Sequence, residues 1–131
     1  IETISENFDY VVIDGEAGIE QINRRVMENI TYLILVSDSS RKGIQVISTI
    51  HDVSKRLTSC KKTGIIFNRV RAGFAPSAIS EATPVLAVVG DDSEQAEKDM
   101  QGESVFNLAT DSPLFCGAKA ALSALIGEDL T

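Results

Sequence analysis

Short apolar runs alternate with helical patterns along most of this chain. Runs of strand type lie at Phe8–Asp14, Tyr32–Asp38, Thr63–Val70 and Pro84–Gly90. They are continuously apolar rather than alternating with polar residues, which is typical of parallel strands covered on both faces. We therefore predict an α/β fold in which a parallel sheet of about four strands is flanked by helices.

Between and after these runs, apolar residues recur at the spacing of one helix face. The stretch Ile19–Ile30 predicts one helix, and the stretch SSRKGIQVISTIHDVSKRL predicts a second, amphipathic helix capped by Ser39 or Ser40. DSEQAEKDMQG predicts a short helix that runs from an Asp or Ser cap to a glycine stop. The last helix follows a Ser112 cap with proline at its first position. Its residues predicted to face inward are Phe115, Ala118, Leu122 and Leu125.

The composition narrows the class of protein. A length of 131 residues suits a single domain, and the net charge of −7 argues against a nucleic-acid surface. No apolar run approaches the ~20 residues of a membrane helix. Cys60 and Cys116 form no CxxC pair, so free, buried thiols in a cytoplasmic protein are favoured over a disulfide. The chain lacks an initial Met and opens just before a predicted strand, so we expect it to start within a larger protein.

Polar residues follow all four predicted strands. In an open parallel sheet, ligands bind beyond the carboxyl ends of the strands, so these residues are candidates for a site. They are Asp14 and Glu16, then Ser37 and Asp38, then Asn68 and Arg69, and finally Gly90, Asp91 and Asp92.

The segment IDGEAGIE is the most specific of these strand ends. Asp14 closes a buried apolar run, and an Asp in that position can hold a water on Mg²⁺, a cation that prefers oxygen ligands. Gly18 lets a backbone N–H come close to a phosphate oxygen, at the start of a helix whose positive end adds to the attraction. This order of residues is that of a Walker B strand followed by a switch loop.

The longer segment DYVVIDGEAGIEQINRRV resembles the Walker B and switch II region of the MinD/ParA/nitrogenase-iron-protein class of P-loop ATPases. Within that class it is most similar to CooC-type proteins, the nickel-insertion accessory ATPases of carbon monoxide dehydrogenase. The similarity continues in LILVSDSSRKGIQ, IIFNRV and VVGDDSEQAEKDMQGESVFNLATDSP, and covers nearly the whole chain. It implies that residues 1–131 are the C-terminal half of a MinD/ParA-like nucleotide-binding domain, a partial P-loop NTPase fold.

The resemblance also implies roles for matching residues. Asp14 would bind Mg²⁺ through water, Gly18 would sense the γ-phosphate through its N–H, and Glu16 would belong to the switch that moves on hydrolysis. Asn68 would hydrogen-bond the adenine edge. The residues placed at the nucleotide by the resemblance are thus Asn68, Arg69, Gly90, Asp91 and Asp92.

The chain departs from this class in several motifs. No G-x-x-x-x-G-K-[ST] and no Cys-x-Cys occurs, and Gln21 stands where the CooC-type proteins have His. We therefore expect no ATPase activity from this chain alone, although its parent would bind ATP, ADP and Mg²⁺. The expected partners are the missing N-terminal P-loop half, a second copy in a homodimer, and a metalloenzyme client. The missing strand would lie between the strands ending at Asp14 and Ser37, so we predict pairing with another chain at that edge.

Simpler roles compete with these assignments. Asn68 could cap a turn, Asp91 and Asp92 could cap a helix, and Glu16 could be a solvated charge. His51 is expected to be structural or exposed. The alternative function is a non-catalytic interaction or receiver-like domain that binds Mg²⁺ or phosphate at the acidic strand ends. The absence of a Lys at the end of a late strand counts against a receiver.

Overall fold

The computed structural model describes residues 6–15, 30–57, 60–76 and 83–127. In these segments a three-stranded sheet is combined with three α-helices and one 3₁₀ turn, which confirms the predicted α/β class. In chain order the elements are β1 (Tyr32–Ser37), α1 (Arg41–Leu57), β2 (Lys62–Val70), β3 (Val85–Gly90), α2 (Ser93–Gln101), the 3₁₀ turn (Val105–Asn107) and α3 (Pro113–Ile126).

The three strands are parallel and lie in the order β1-β2-β3. Helix α1 covers one face, where Ile47 packs with a cluster of buried strand residues. This cluster is the main core, and Phe67 at its centre is fully buried. The strand residues of the cluster are Leu33, Leu35, Ile65 and Phe67.

Helix α3 covers the opposite face. Side chains alternate between the two faces along β2, so Lys62 lies on the face opposite to Ile65 and Phe67. Its Nζ donates a hydrogen bond to the Leu125 carbonyl of α3 at 2.9 Å. Gly117 lies against Val89 so closely that an added Cβ would come within 2.3 Å of Val89 Cγ2. The predicted covering of both faces is therefore confirmed for β2, while Val88 of β3 is 46% exposed.

The run Phe8–Asp14, predicted to be a fourth strand, does not form one in this structure. It has no regular secondary structure, its apolar side chains are exposed, and Val12 is 89% exposed. A strand needs a neighbour for its backbone hydrogen bonds, and no described strand pairs with this run. The helix predicted over Ile19–Ile30 lies almost entirely outside the described residues.

The helix caps agree with the sequence prediction. Ser40 Oγ accepts a hydrogen bond from Gly43 N at 3.0 Å at the start of α1. Asp92 caps α2, which stops at Gly102 in the left-handed conformation. Ser112 caps α3 by accepting from Phe115 N at 3.2 Å.

Two predicted burial patterns are wrong in part. On α3, Leu125 is buried and Leu122 half-buried as predicted, whereas Phe115 and Ala118 are exposed and Ala121 is buried instead. The helix is turned so that Gly117 and Ala121 approach the sheet, since their small side chains permit close packing. Cys116 consequently lies on the exposed side; both thiols are free, and Cys60 is half-buried.

Candidate functional site

The carboxyl end of β1 runs directly into the first turn of α1. Ser37 is buried, and its Oγ donates to the Asp38 carbonyl at 3.0 Å. Asp38 Oδ1 accepts from Ser40 N at 2.9 Å. The Ser40 hydroxyl and then the Ser40 amide hold the pKa of Asp38 below its ordinary value. These hydrogen bonds thus favour the ionised form of the Asp38 carboxylate at the start of α1.

Gly43 closes this turn from the helix side. A Cβ at this position would lie within 2.5 Å of Asp38 Oδ1 and also close to Ser37 Oγ. Sequence reasoning noted the strand end at Ser37 and Asp38 but assigned no role to Gly43. The signal that could have found it is a glycine in the first turn of a strongly predicted helix, where Gly is otherwise unfavourable.

The end of β2 is irregular. Phe67 pairs with Val88 and Val70 with Gly90, so β2 carries one extra residue between these pairs. Arg69 has a φ of 55°, a left-handed conformation that is uncommon for a residue with a side chain. Asn68 Oδ1 accepts from Arg69 N at 2.9 Å, so the simpler role of Asn68 in supporting a turn is present. Its amide nitrogen donates no hydrogen bond to the described residues.

The end of β3 holds two helices together through Asp92. Its Oδ1 accepts from Gln95 N at 3.0 Å, and its Oδ2 accepts from Leu114 N at 3.1 Å. The amide of Gln95 and then that of Leu114 lower the pKa of Asp92. Both carboxylate oxygens therefore serve the N-termini of α2 and α3, which confirms the capping alternative. Asp91 is exposed beside it.

This double cap predicts an acid-dependent stability. Because the folded pKa of Asp92 is lowered, its contribution is complete above the ordinary value of 3.8 and is lost as the pH falls through the folded value. We expect Asp92→Asn to lower the midpoint of thermal unfolding at neutral pH, and the gap to wild type to narrow below pH 3.8. Circular dichroism melts at a series of pH values measure this gap, with exposed Asp91→Asn as the matched control. A gap that stays constant with pH would rule out the charge as its cause.

The first strand end is only partly described. Asp14 lies in the exposed segment 6–15, outside the sheet, and Gly15 has open space where a Cβ would be. Glu16 and Gly18, the predicted catalytic residues, lie outside the described residues. The structure therefore brings together the ends of β1, β2 and β3, while the place of the Asp14 segment at this edge stays a prediction.

The described ranges contain neither a metal-binding cluster nor a membrane-spanning helix. No cluster of three or more His, Cys, Asp or Glu side chains suited to a metal ion occurs there. None of the described helices combines the length and hydropathy that crossing a membrane requires.

His51 has buried polar surroundings that the sequence did not predict. It is buried on α1, and its Nε2 shares a hydrogen bond with the buried hydroxyl of Thr83. Its Nδ1 lies 3.7 Å from Asp52 Oδ1. These groups lie at the amino-terminal end of the sheet, opposite the edge described above, because Thr83 lies two residues before the start of β3. The structural role expected of His51 agrees with this contact.

Comparison with known proteins gives one informative relative. No protein-family model matches the chain, and no solved structure matches it. The chain is similar to the "Uncharacterized ATP-binding protein MJ0685" of Methanocaldococcus jannaschii, with 26% identity over 120 residues. The match covers 88% of this chain and 47% of the relative. The chain thus spans about half the length of a curated relative that is named as an ATP-binding protein.

Proposed function

We propose that this chain is the nucleotide-binding C-terminal half of a cytoplasmic, Mg-ATP-dependent switch ATPase of the MinD/ParA type. The parent would be a homodimer that assists the maturation of a metalloenzyme, as CooC-type proteins do for carbon monoxide dehydrogenase. The chain alone would not hydrolyse ATP. The observation that carries the proposal is the similarity to half of an ATP-binding protein, which extends across the three polar strand ends.

The exposed apolar surface supports the need for a missing half. The run Phe8–Ile13 consists largely of exposed aromatic and β-branched side chains. The outer edge of β1 pairs with no described strand, and Val36 on that strand is 59% exposed. A soluble protein rarely leaves a strand-like apolar run and a sheet edge uncovered together. An added strand between them would cover both.

The residues at the carboxyl edge have the donor chemistry that a nucleotide requires. The Asn68 amide nitrogen is available to donate to an adenine ring nitrogen, with Arg69 beside it. Helix α1 begins at this edge with Arg41 and Lys42 in its first turn and no acid there, which favours phosphate. Both oxygens of Asp92 are already used, so a nucleotide contact there would come from the backbone of Gly90–Asp92.

Magnesium would be bound by Asp14 through water in this proposal. Its carboxylate receives no hydrogen bond from the described residues, and an exposed carboxylate is a ligand type that Mg²⁺ accepts. When bound, the ion would neutralise charge on the phosphate oxygens. Glu16 and Gly18 would follow as the switch residues next to the γ-phosphate.

The test is calorimetric titration with ATP and ADP in the presence of Mg²⁺. We expect the chain extended upstream in its own gene to bind both nucleotides, and the 131-residue chain to bind at least about 100-fold more weakly, because the phosphate-binding loop supplies most of the contacts. In the extended chain, Asp14→Asn should weaken the dependence of ATP affinity on Mg²⁺.

Asp9→Asn is the matched control for Asp14→Asn, since Asp9 is an exposed carboxylate in the same segment. Its Mg²⁺ dependence should equal that of wild type. Mg-dependent ATP turnover by the 131-residue chain alone would overturn the proposed division into halves. If the chain extended upstream binds neither ATP nor ADP, the interaction-domain alternative is favoured.

A further inference from the structure

The positive charge of this acidic protein is concentrated in one stretch. Residues 53–80 contain no Asp or Glu, whereas the whole chain has 19 acids and a net charge of −7. Half of the 12 basic residues fall in this stretch. They are Lys55, Arg56, Lys61, Lys62, Arg69 and Arg71.

Three of these lysines surround a cavity at the amino-terminal end of the sheet. The cavity has a volume of about 270 Å³ and lies at the opposite end of the strands from the carboxyl edge. Its rim carries Lys55, Lys61 and Lys62, and no carboxylate lines it among the described residues. We call it the lysine-rimmed cavity.

Buried polar groups form the inner part of the lysine-rimmed cavity. Ser54 and Thr83 are almost fully buried, and the His51 ring shares its hydrogen bond with Thr83 there. Thr63 adds a further hydroxyl. The Ser54 hydroxyl donates to the His51 carbonyl at 2.8 Å, and Thr63 Oγ1 lies 3.3 Å from Cys60 Sγ. The inner wall is therefore polar and the rim cationic.

A structural explanation exists for part of this charge. Helices α1 and α3 both end near this side of the sheet, and their carbonyl ends attract cations. Lys62 Nζ donates to the Leu125 carbonyl, so helix capping explains the charge of Lys62. It explains the charge of Lys55, in the last turn of α1, only in part. Lys61 lies on neither helix. Within the described segments, neither Lys55 nor Lys61 forms an ion pair.

We propose that the lysine-rimmed cavity binds a phosphate dianion, either free or as the phosphate group of a small metabolite. The rim ammonium groups supply charge-assisted hydrogen bonds. The Thr83 hydroxyl can donate to the phosphate when His51 Nε2 is the donor in their shared hydrogen bond, and Thr63 adds a further hydroxyl. The volume leaves room for a small substituent beyond the phosphate itself. This site is separate from the proposed nucleotide site and does not depend on the missing half.

Calorimetric titration of the 131-residue chain with inorganic phosphate, at constant ionic strength, tests the site. We expect saturable binding, weakened about five- to tenfold by Lys61→Gln and by Lys55→Gln, since each removes a charged donor at an exposed rim. Both side chains are exposed, so thermal unfolding should stay close to wild type and exclude misfolding as the cause.

Lys119→Gln is the matched control. It removes the same charge at an exposed position of α3 that does not line the lysine-rimmed cavity, and should leave phosphate affinity unchanged. A parallel titration with glycerol phosphate separates the two sources. Tighter binding of the monoester identifies a phosphorylated metabolite, and binding of inorganic phosphate alone identifies the free ion. Absence of saturable binding, or loss in Lys119→Gln with retention in Lys61→Gln, would overturn the proposal.

Discussion

Phe67→Ala should destabilise this chain by about 3–5 kcal/mol, the usual cost of emptying a large buried aromatic site. Phe67 is 0% exposed and lies in the cluster formed by β1, β2 and α1. Its ring also meets that of Phe74 edge-on, with centroids 5.0 Å apart. The surrounding strands cannot collapse into the space without breaking the parallel pairing. Since domains are stable by only about 5–15 kcal/mol, this change removes a large fraction of the total.

Urea unfolding followed by circular dichroism measures this loss, because the chain has no Trp for fluorescence. Phe106→Ala is the matched control, as Phe106 is 95% exposed. We expect that control to change the free energy of unfolding by less than about 0.5 kcal/mol. Equal effects of the two substitutions would mean that the core does not lie between α1 and the sheet.

Gly117→Val should destabilise by about 2–3 kcal/mol through overpacking between α3 and β3. A Cβ at Gly117 would already lie 2.3 Å from Val89 Cγ2, and Val89 is itself buried. Valine adds two further methyl groups at the same place, so α3 must shift away from the sheet. The gain from replacing a helical glycine, at most about 1 kcal/mol, does not offset this strain.

Ala120→Val on the exposed side of the same helix separates packing from helix propensity. This substitution lowers helix propensity through the β-branched side chain but meets no neighbouring strand, so we expect the free energy of unfolding to fall by less than about 0.7 kcal/mol. The free energy of unfolding from urea titrations gives both values. A Gly117→Val loss no larger than that of the control would contradict the close contact between α3 and β3.

The features that sequence patterns predicted well are local ones. Helix α2 was predicted with an Asp or Ser cap and a glycine stop, because both signals lie within a few residues of the helix, and Asp92 is the cap. Strands β1, β2 and β3 followed from unbroken apolar runs. The grouping of polar residues at one edge of the sheet could be predicted because parallel strands end on the same side.

The features that were missed depend on distant partners. The run Phe8–Asp14 has the composition of a strand, but composition cannot supply the neighbour that pairs with it. Asp92 was expected to cap one helix, and its second bond reaches Leu114, 22 residues away. His51 meets Thr83 across 32 residues. The inward face of α3 was misjudged at Phe115 and Ala118, since a small residue, Gly117, makes the close contact with Val89.

The two hydrogen bonds that Asp92 accepts also determine where the chain can be cut or extended. Helices α2 and α3 are joined at their N-termini through one carboxylate, while the connection through residues 102–111 is exposed over most of its length. The geometry of the two helices is thus set by a side chain and not by the length of the covalent link. That link is where the protein could accept an inserted domain, a protease cut or a new pair of termini without separating the helices.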